Sequence, residues 1–165
     1  MFELSNVEGH ISIKFVIIGY QFPSDPIDDW LLVKLTVKQG NNVFEKIDPA
    51  LTTQELINVY QWFNALHERK LPRFGNQTFT EPCIGLNFLA YRSDTVRFSI
   101  ELSHELKPNF FIEQFKFPNK DKWFSKDWHI VFEANNDDFI QILNSLTQDI
   151  SNYPTRSSNH IDSLD

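Results

Sequence analysis

Asp48-Pro49-Ala50-Leu51-Thr52-Thr53-Gln54-Glu55-Leu56-Ile57-Asn58-Val59-Tyr60-Gln61-Trp62-Phe63-Asn64-Ala65-Leu66-His67-Glu68-Arg69-Lys70-Leu71-Pro72 is the stretch whose reading decides the fold. Thr52-x-x-Glu55 is a capping box: the Thr hydroxyl can accept from the Glu55 amide, and the Glu carboxylate can accept from the Thr amide. Leu51 and Leu56 bracket that box as a hydrophobic staple, so the helix start is specified twice. Leu56, Val59, Tyr60, Phe63 and Leu66 recur at three- and four-residue spacing and make one apolar stripe. Arg69 and Lys70 suit the negative end of the helix dipole, and Pro72 stops the helix.

On both sides of this helix the apolar period is two. Upstream, Ile11, Ile13 and Phe15 share one face of a strand, and Val16, Ile17 and Ile18 continue it as a run that reads as buried on both sides. Trp30 to Lys38 forms a second strand, and Gly40-Asn41-Asn42 turns it back into Val43 to Ile47. Downstream, Thr78 to Thr80, Ile84 to Tyr91 and Val96 to Leu102 read as an antiparallel meander, with Phe110 to Phe117 and Trp128 to Phe132 as further strands. Asn135 or Asn136 caps a last helix, whose positive first turn holds Asp137 and Asp138 and whose stripe is Phe139, Ile142, Leu143, Leu146 and Ile150. The expectation is an α+β fold: a curved antiparallel sheet of about eight or nine strands with two helices packed on it. Residues 1–153 form one domain, with neither internal repeat nor interior linker, and the polar, aperiodic residues 154–165 are expected to be a disordered tail.

Composition supports that class and excludes several activities. With 165 residues, the chain can bury about two thirds of the surface its unfolded form exposes, enough for a core without disulfides or metal. Sixteen Phe, four Trp and four Tyr against five Gly describe a heavy aromatic core and leave little for glycine-rich phosphate loops. Lys and Arg number 15 against 22 Asp and Glu, a net charge of −7 spread over both halves. No basic face for binding nucleic acid directly is visible. Cys83 is the single cysteine, so no disulfide framework or paired-thiolate zinc site can form within the chain. Glu3 and Glu8 stand where a secretory signal would carry basic residues, and no apolar run is long enough to span a membrane. The expected location is the cytoplasm.

Candidate chemistry is sparse. Cys83, with His104 or His129 as base, would be the nucleophile, but it follows Pro82 into an apolar strand, where cysteine is ordinarily a small buried hydrophobe. A metal site would have to be assembled from His10, His104, His129 and carboxylates; Glu101, His104 and Glu105 are the densest group, without the paired histidines of a zinc helix. The third candidate is the loop Phe22-Pro23-Ser24-Asp25-Pro26-Ile27-Asp28-Asp29-Trp30, where Asp and Pro are ordinary turn formers but three acids beside an aromatic also suit a basic partner. Arg92, Arg97, Glu101 and Glu105 read as a solvated strand face. Asn119 to Asp127 reads as a loop, with Trp123 and Phe124 available to an unrelated partner. No catalytic residue, cofactor or metal is assigned.

A series of short motifs carries a family resemblance. In order they are Gly19-Tyr20-Gln21-Phe22-Pro23, the acidic loop leading to Trp30-Leu31, Asp48-Pro49-Ala50-Leu51-Thr52-Thr53-Gln54-Glu55-Leu56, Trp62-Phe63, Phe79-Thr80-Glu81-Pro82, and Glu105 followed by Pro108. From about Ile13 to Pro108 the series resembles the WapI-like immunity protein family, with Ala50 where Cys is common in the family and Asn42-Val43-Phe44 where a Trp is frequent. The resemblance implies a small cytoplasmic protein, not an enzyme, that binds and neutralises a cognate bacterial toxin domain, often a nuclease. An acidic protein suits a partner whose site receives phosphates. The residues expected to make contact are Asp25, Asp28, Asp29 and Trp30, since Trp is enriched at interface hot spots and acids pair with Lys or Arg. The alternative is a small-ligand-binding or metal-dependent enzymatic domain with a pocket around Glu101, His104 and Glu105.

Overall fold

A computed structural model of the chain describes residues 2–7, 9–112 and 128–156. The capping box forms as the sequence predicts. Thr52 caps α1 (Thr53–His67), its hydroxyl accepting from the Glu55 amide while the Glu55 carboxylate accepts from Thr52 N at 2.9 Å. Before it run β1 (Glu3–Ser5), β2 (Ile11–Tyr20), β3 (Trp30–Gln39) and β4 (Asn42–Thr52), an antiparallel sheet in sequence order. Gly40, at φ +57°, makes the two-residue turn that lets Gln39 and Asn42 pair.

After α1 the same order recurs: β5 (Asn76–Thr78), β6 (Ile84–Tyr91), β7 (Val96–Leu102) and β8 (Trp128–Ala134) form a second antiparallel sheet, followed by α2 (Asn136–Asn152). The fold is therefore α+β, with eight strands divided into two sheets of four and not one continuous sheet. A 15-residue helix is about 22 Å long, enough to carry the chain from one sheet to the start of another. Although the sequence shows no repeat, the topology is one: four strands and a helix, twice. Its sequence trace is faint. The second strand of each half carries a register shift near its end, at Ile17/Gly19 and at Phe88/Ala90, and each then ends on a tyrosine, Tyr20 and Tyr91.

Burial follows strand parity. Ile11, Ile13, Phe15 and Ile17 of β2 and Leu31, Val33, Leu35 and Val37 of β3 are buried. The run through Val16 to Ile18 is buried on one side only, because Ile18 points to the opposite face of the sheet and is 45% exposed. In the second half Phe98, Ile100, Leu102, Ile130 and Phe132 face the same core. Phe63 of α1 is the hub, with ring centroids of Phe2, Trp62 and Phe98 at 5.4, 5.2 and 5.5 Å and near-perpendicular planes. Phe139 of α2 lies 6.4 Å away. Each large side chain buried in such a cluster contributes about 1.5–3 kcal/mol of transfer free energy.

The two helices run antiparallel, since His67 at the end of α1 bonds Asn136 at the start of α2 at 2.9 Å, and Thr53 at the start of α1 meets Thr155 beyond α2 at 3.3 Å. Asn135 caps α2 with its own box, accepting from Asp137 N and Asp138 N while Asp138 accepts from Asn135 N. Glu55 also reaches across the halves. Its Oε1 accepts from Thr80 N at 2.7 Å and from Thr80 Oγ1 at 2.8 Å, which gives Thr80 of the Phe79-Thr80-Glu81-Pro82 motif a structural role. Residues 110–112, part of an expected strand, are irregular; 113–117, Asn119 to Asp127 and 157–165 lie outside the described residues.

Candidate functional site

The acidic loop joins β2 to β3 across residues 21–29, and its base is closed by Gln21 N donating to Trp30 O at 2.8 Å and Thr53 N to Asp29 O at 3.0 Å. Each of its acids accepts a backbone amide. Asp25 Oδ1 accepts from Ile27 N at 2.9 Å, an Asx turn that the proline at position 26 favours. Asp28 Oδ2 accepts from Phe22 N at 3.3 Å, and Asp29 Oδ1 accepts from Arg156 N at 2.7 Å. Asp25 is exposed, whereas Asp28, Asp29 and Trp30 are half-buried, with Trp30 opposite Thr52 on the sheet. The four residues expected from sequence are thus neighbours, but they do not present equally to solvent.

Residues that sequence reading passed over complete the loop. The Arg156 guanidinium lies 3.3 Å from the centroid of the Tyr20 ring. Its Nη1 donates to Asp25 O at 2.8 Å and Phe22 O at 3.2 Å, and its Nη2 to Pro23 O at 3.3 Å. Tyr20 Oη donates to Pro154 O at 2.6 Å. Residues 154–156, the described part of the expected tail, therefore lie against the loop. Phe22 and Ile27 are 54% and 60% exposed, and Phe22 to Pro26 line an open concavity of about 520 Å³. No local pattern links an arginine at 156 to a loop more than a hundred residues earlier; the Gly19-to-Pro23 motif and the acids after it mark only the loop's side of this corner.

The alternative residues are arranged differently. Glu101 projects from the outer face of β7, lies over Gly85 and faces His129 Nε2 at 3.7 Å across the sheet. His104 opens a short 3₁₀ turn, His104–Leu106, at φ +47°, and Glu105 belongs to a different environment, beside Asp48, whose carboxyl is raised above the ordinary value first by partial burial and then by the charge of Glu105. Among the described residues no hydrogen bond or ion pair joins Glu101 to His104 or Glu105, and no group of three or more His, Cys, Asp or Glu is placed to hold a metal ion. The Cys83 thiol is 2% exposed; burial, reinforced by the negative charge of Asp48, pushes its pKa up to about 12. It therefore stays protonated at neutral pH and is a poor nucleophile. Among the described residues no helix is long and apolar enough to cross a membrane.

No curated protein and no solved structure matches the chain. The motif series, by contrast, runs through elements that are now explained, from the Tyr20 corner to the Glu55–Thr80 link. The family model described as "Immunity protein WapI-like family" matches residues 3–154, nearly the whole chain, and the protein belongs to that family.

Proposed function

We propose that this protein is a non-catalytic immunity factor that binds a cognate toxin domain in the cytoplasm and blocks it through the loop at residues 21–29. Membership of an immunity-protein family carries the general reading. The location of the contact is supported by the loop's own chemistry. An exposed Asp25, the half-buried Asp28 and Asp29 and the adjoining Trp30 give the loop negative charge, and Phe22 and Ile27 add exposed apolar area to it. Negative charge beside exposed apolar side chains suits a partner surface rich in Lys and Arg, as a nuclease's substrate site is. Accepting one backbone amide does not use up a carboxylate's acceptor capacity, so the structural and recognition roles can coexist.

The test is association kinetics with the toxin domain encoded beside this chain. Reversing Asp25 and Asp28 to Lys is expected to slow association by on the order of tenfold at low salt, with a smaller effect at high salt, as steering by exposed charge requires. Unchanged association at both salt concentrations removes the loop from the interface. Protection of the toxin's substrate in the same mixtures reports whether binding neutralises the toxin.

A further inference from the structure

The two halves of the fold solve one structural problem twice, and the comparison isolates what is special about the first. In each half the tyrosine ending the second strand holds the segment that follows the other half's pairing helix: Tyr91 Oη donates to Lys70 O beyond α1, as Tyr20 Oη donates to Pro154 O beyond α2. In each, an arginine from that segment stacks on the tyrosine ring, Arg69 at 5.1 Å from the Tyr91 centroid and Arg156 at 3.3 Å from that of Tyr20. The arginines then diverge. Arg69 donates to one carbonyl, that of Arg92, in a loop of four residues, 92–95. Arg156 faces a loop of nine residues and donates to three carbonyls in it, while its own amide is accepted by Asp29. A nine-residue loop with two prolines has no ladder of its own; beyond its closed base and its Asp-held turns, the three carbonyls collected by one guanidinium tie its path to the end of α2.

We infer that Arg156 is a positioning residue: it pre-organises residues 21–29 for docking, and it ties their conformation to the end of α2. The inference rests on the proposed docking role of this loop. Fixing the loop in advance removes ordering cost from association, which favours tight binding with no added contact. The Arg69–Tyr91 clasp does the stabilising half of the job without a docking loop, and so serves as an internal control.

The experiment compares Arg156→Gln with Arg69→Gln in the full chain. Backbone hydrogen exchange in Arg156→Gln is expected to quicken by about tenfold or more across residues 21–29, because local opening of an unsupported loop is nearly free. In Arg69→Gln the faster exchange should fall near residues 88–93 instead, with residues 21–29 unchanged. Association with the neighbouring toxin domain is expected to weaken several-fold in Arg156→Gln and to stay at the wild-type rate in Arg69→Gln. Unchanged exchange at 21–29 in Arg156→Gln, or equal loss of binding in both variants, overturns the inference. If the Asp25→Lys, Asp28→Lys double variant binds normally, the docking reading falls and the positioning role with it. If that variant binds weakly while Arg156→Gln binds normally, the positioning role alone falls.

Discussion

Replacing Glu55 tests how the two halves are held together. Its carboxylate is 9% exposed and accepts three hydrogen bonds, from Thr52 N at 2.9 Å, Thr80 N at 2.7 Å and Thr80 Oγ1 at 2.8 Å. A hydrogen bond to a charged group contributes about 1.5–3 kcal/mol, and a donor left without its acceptor costs about 1–3 kcal/mol when water cannot replace it. Thr80 is itself exposed and Thr52 half-exposed, so water recovers part of the loss. The expected cost of Glu55→Ala is therefore about 2–4 kcal/mol, below the sum of three full bonds. Glu55→Gln keeps an oxygen for Thr80 but turns its NH₂ toward the Thr52 amide, donor against donor, and should lose about half as much. Urea denaturation at neutral pH reads both as a lower midpoint at unchanged slope. A loss under about 1 kcal/mol for the alanine variant, or equal losses for both, would refute the view that this carboxylate joins the α1 start to the second half.

Other consequences can be checked separately. Phe63→Ala removes the ring on which Phe2, Trp62, Phe98 and Phe139 converge and should cost about 3–5 kcal/mol by the same assay; a cost below about 2 kcal/mol would mean that the cluster can collapse around the gap. Cys83 should react with an aromatic disulfide reagent only as fast as the protein unfolds, and rapid labelling of the native state would contradict its buried, protonated thiol. Glu133 accepts from Thr95 and Arg97, which lower its pKa below the ordinary 4.5, so it stabilises the fold above that value and the benefit is lost as pH falls through the lowered one. Glu133→Gln should accordingly be less stable than the parent at pH 7, with the gap closing on acidification; a gap that widens in acid would reverse the sign.

What sequence made legible was whatever short-range chemistry controls. The α1 start, the turn at Gly40, the Asn135 cap and the alternating strands β2, β3, β6, β7 and β8 depend on residues within a few positions of one another and appear where the pattern predicts, whereas the strand expected at Thr78 to Thr80 lies two residues earlier, at Asn76–Thr78. The division into two sheets is different, because a meander read strand by strand carries no mark of where one sheet ends. That break is made by α1, whose apolar stripe faces both sheets at once through Phe63. The run Val16 to Ile18 misled for a related reason: three consecutive β-branched residues look alike whether one face or two are covered.

The acidic loop shows the same divide within one site. Its acids read from sequence either as turn formers or as a patch for a basic partner. Asp25 and Asp28 turn out to have local partners after all, the amides of Ile27 and Phe22, so an Asp at such positions is as much a turn device as a charge. Asp29 and the carbonyls of Phe22, Pro23 and Asp25 each also meet Arg156, a residue that compositional reading assigns to a tail. Unexplained charge alone was therefore a weak pointer to this corner. The stronger one is the difference between the two halves: where Tyr91 and Arg69 close a four-residue loop, Tyr20 and Arg156 close nine residues that expose Phe22 and Ile27. Stability alone does not require that extra length, since the shorter loop serves the same clasp, and a loop lengthened and then fixed in place is the arrangement a binding surface needs.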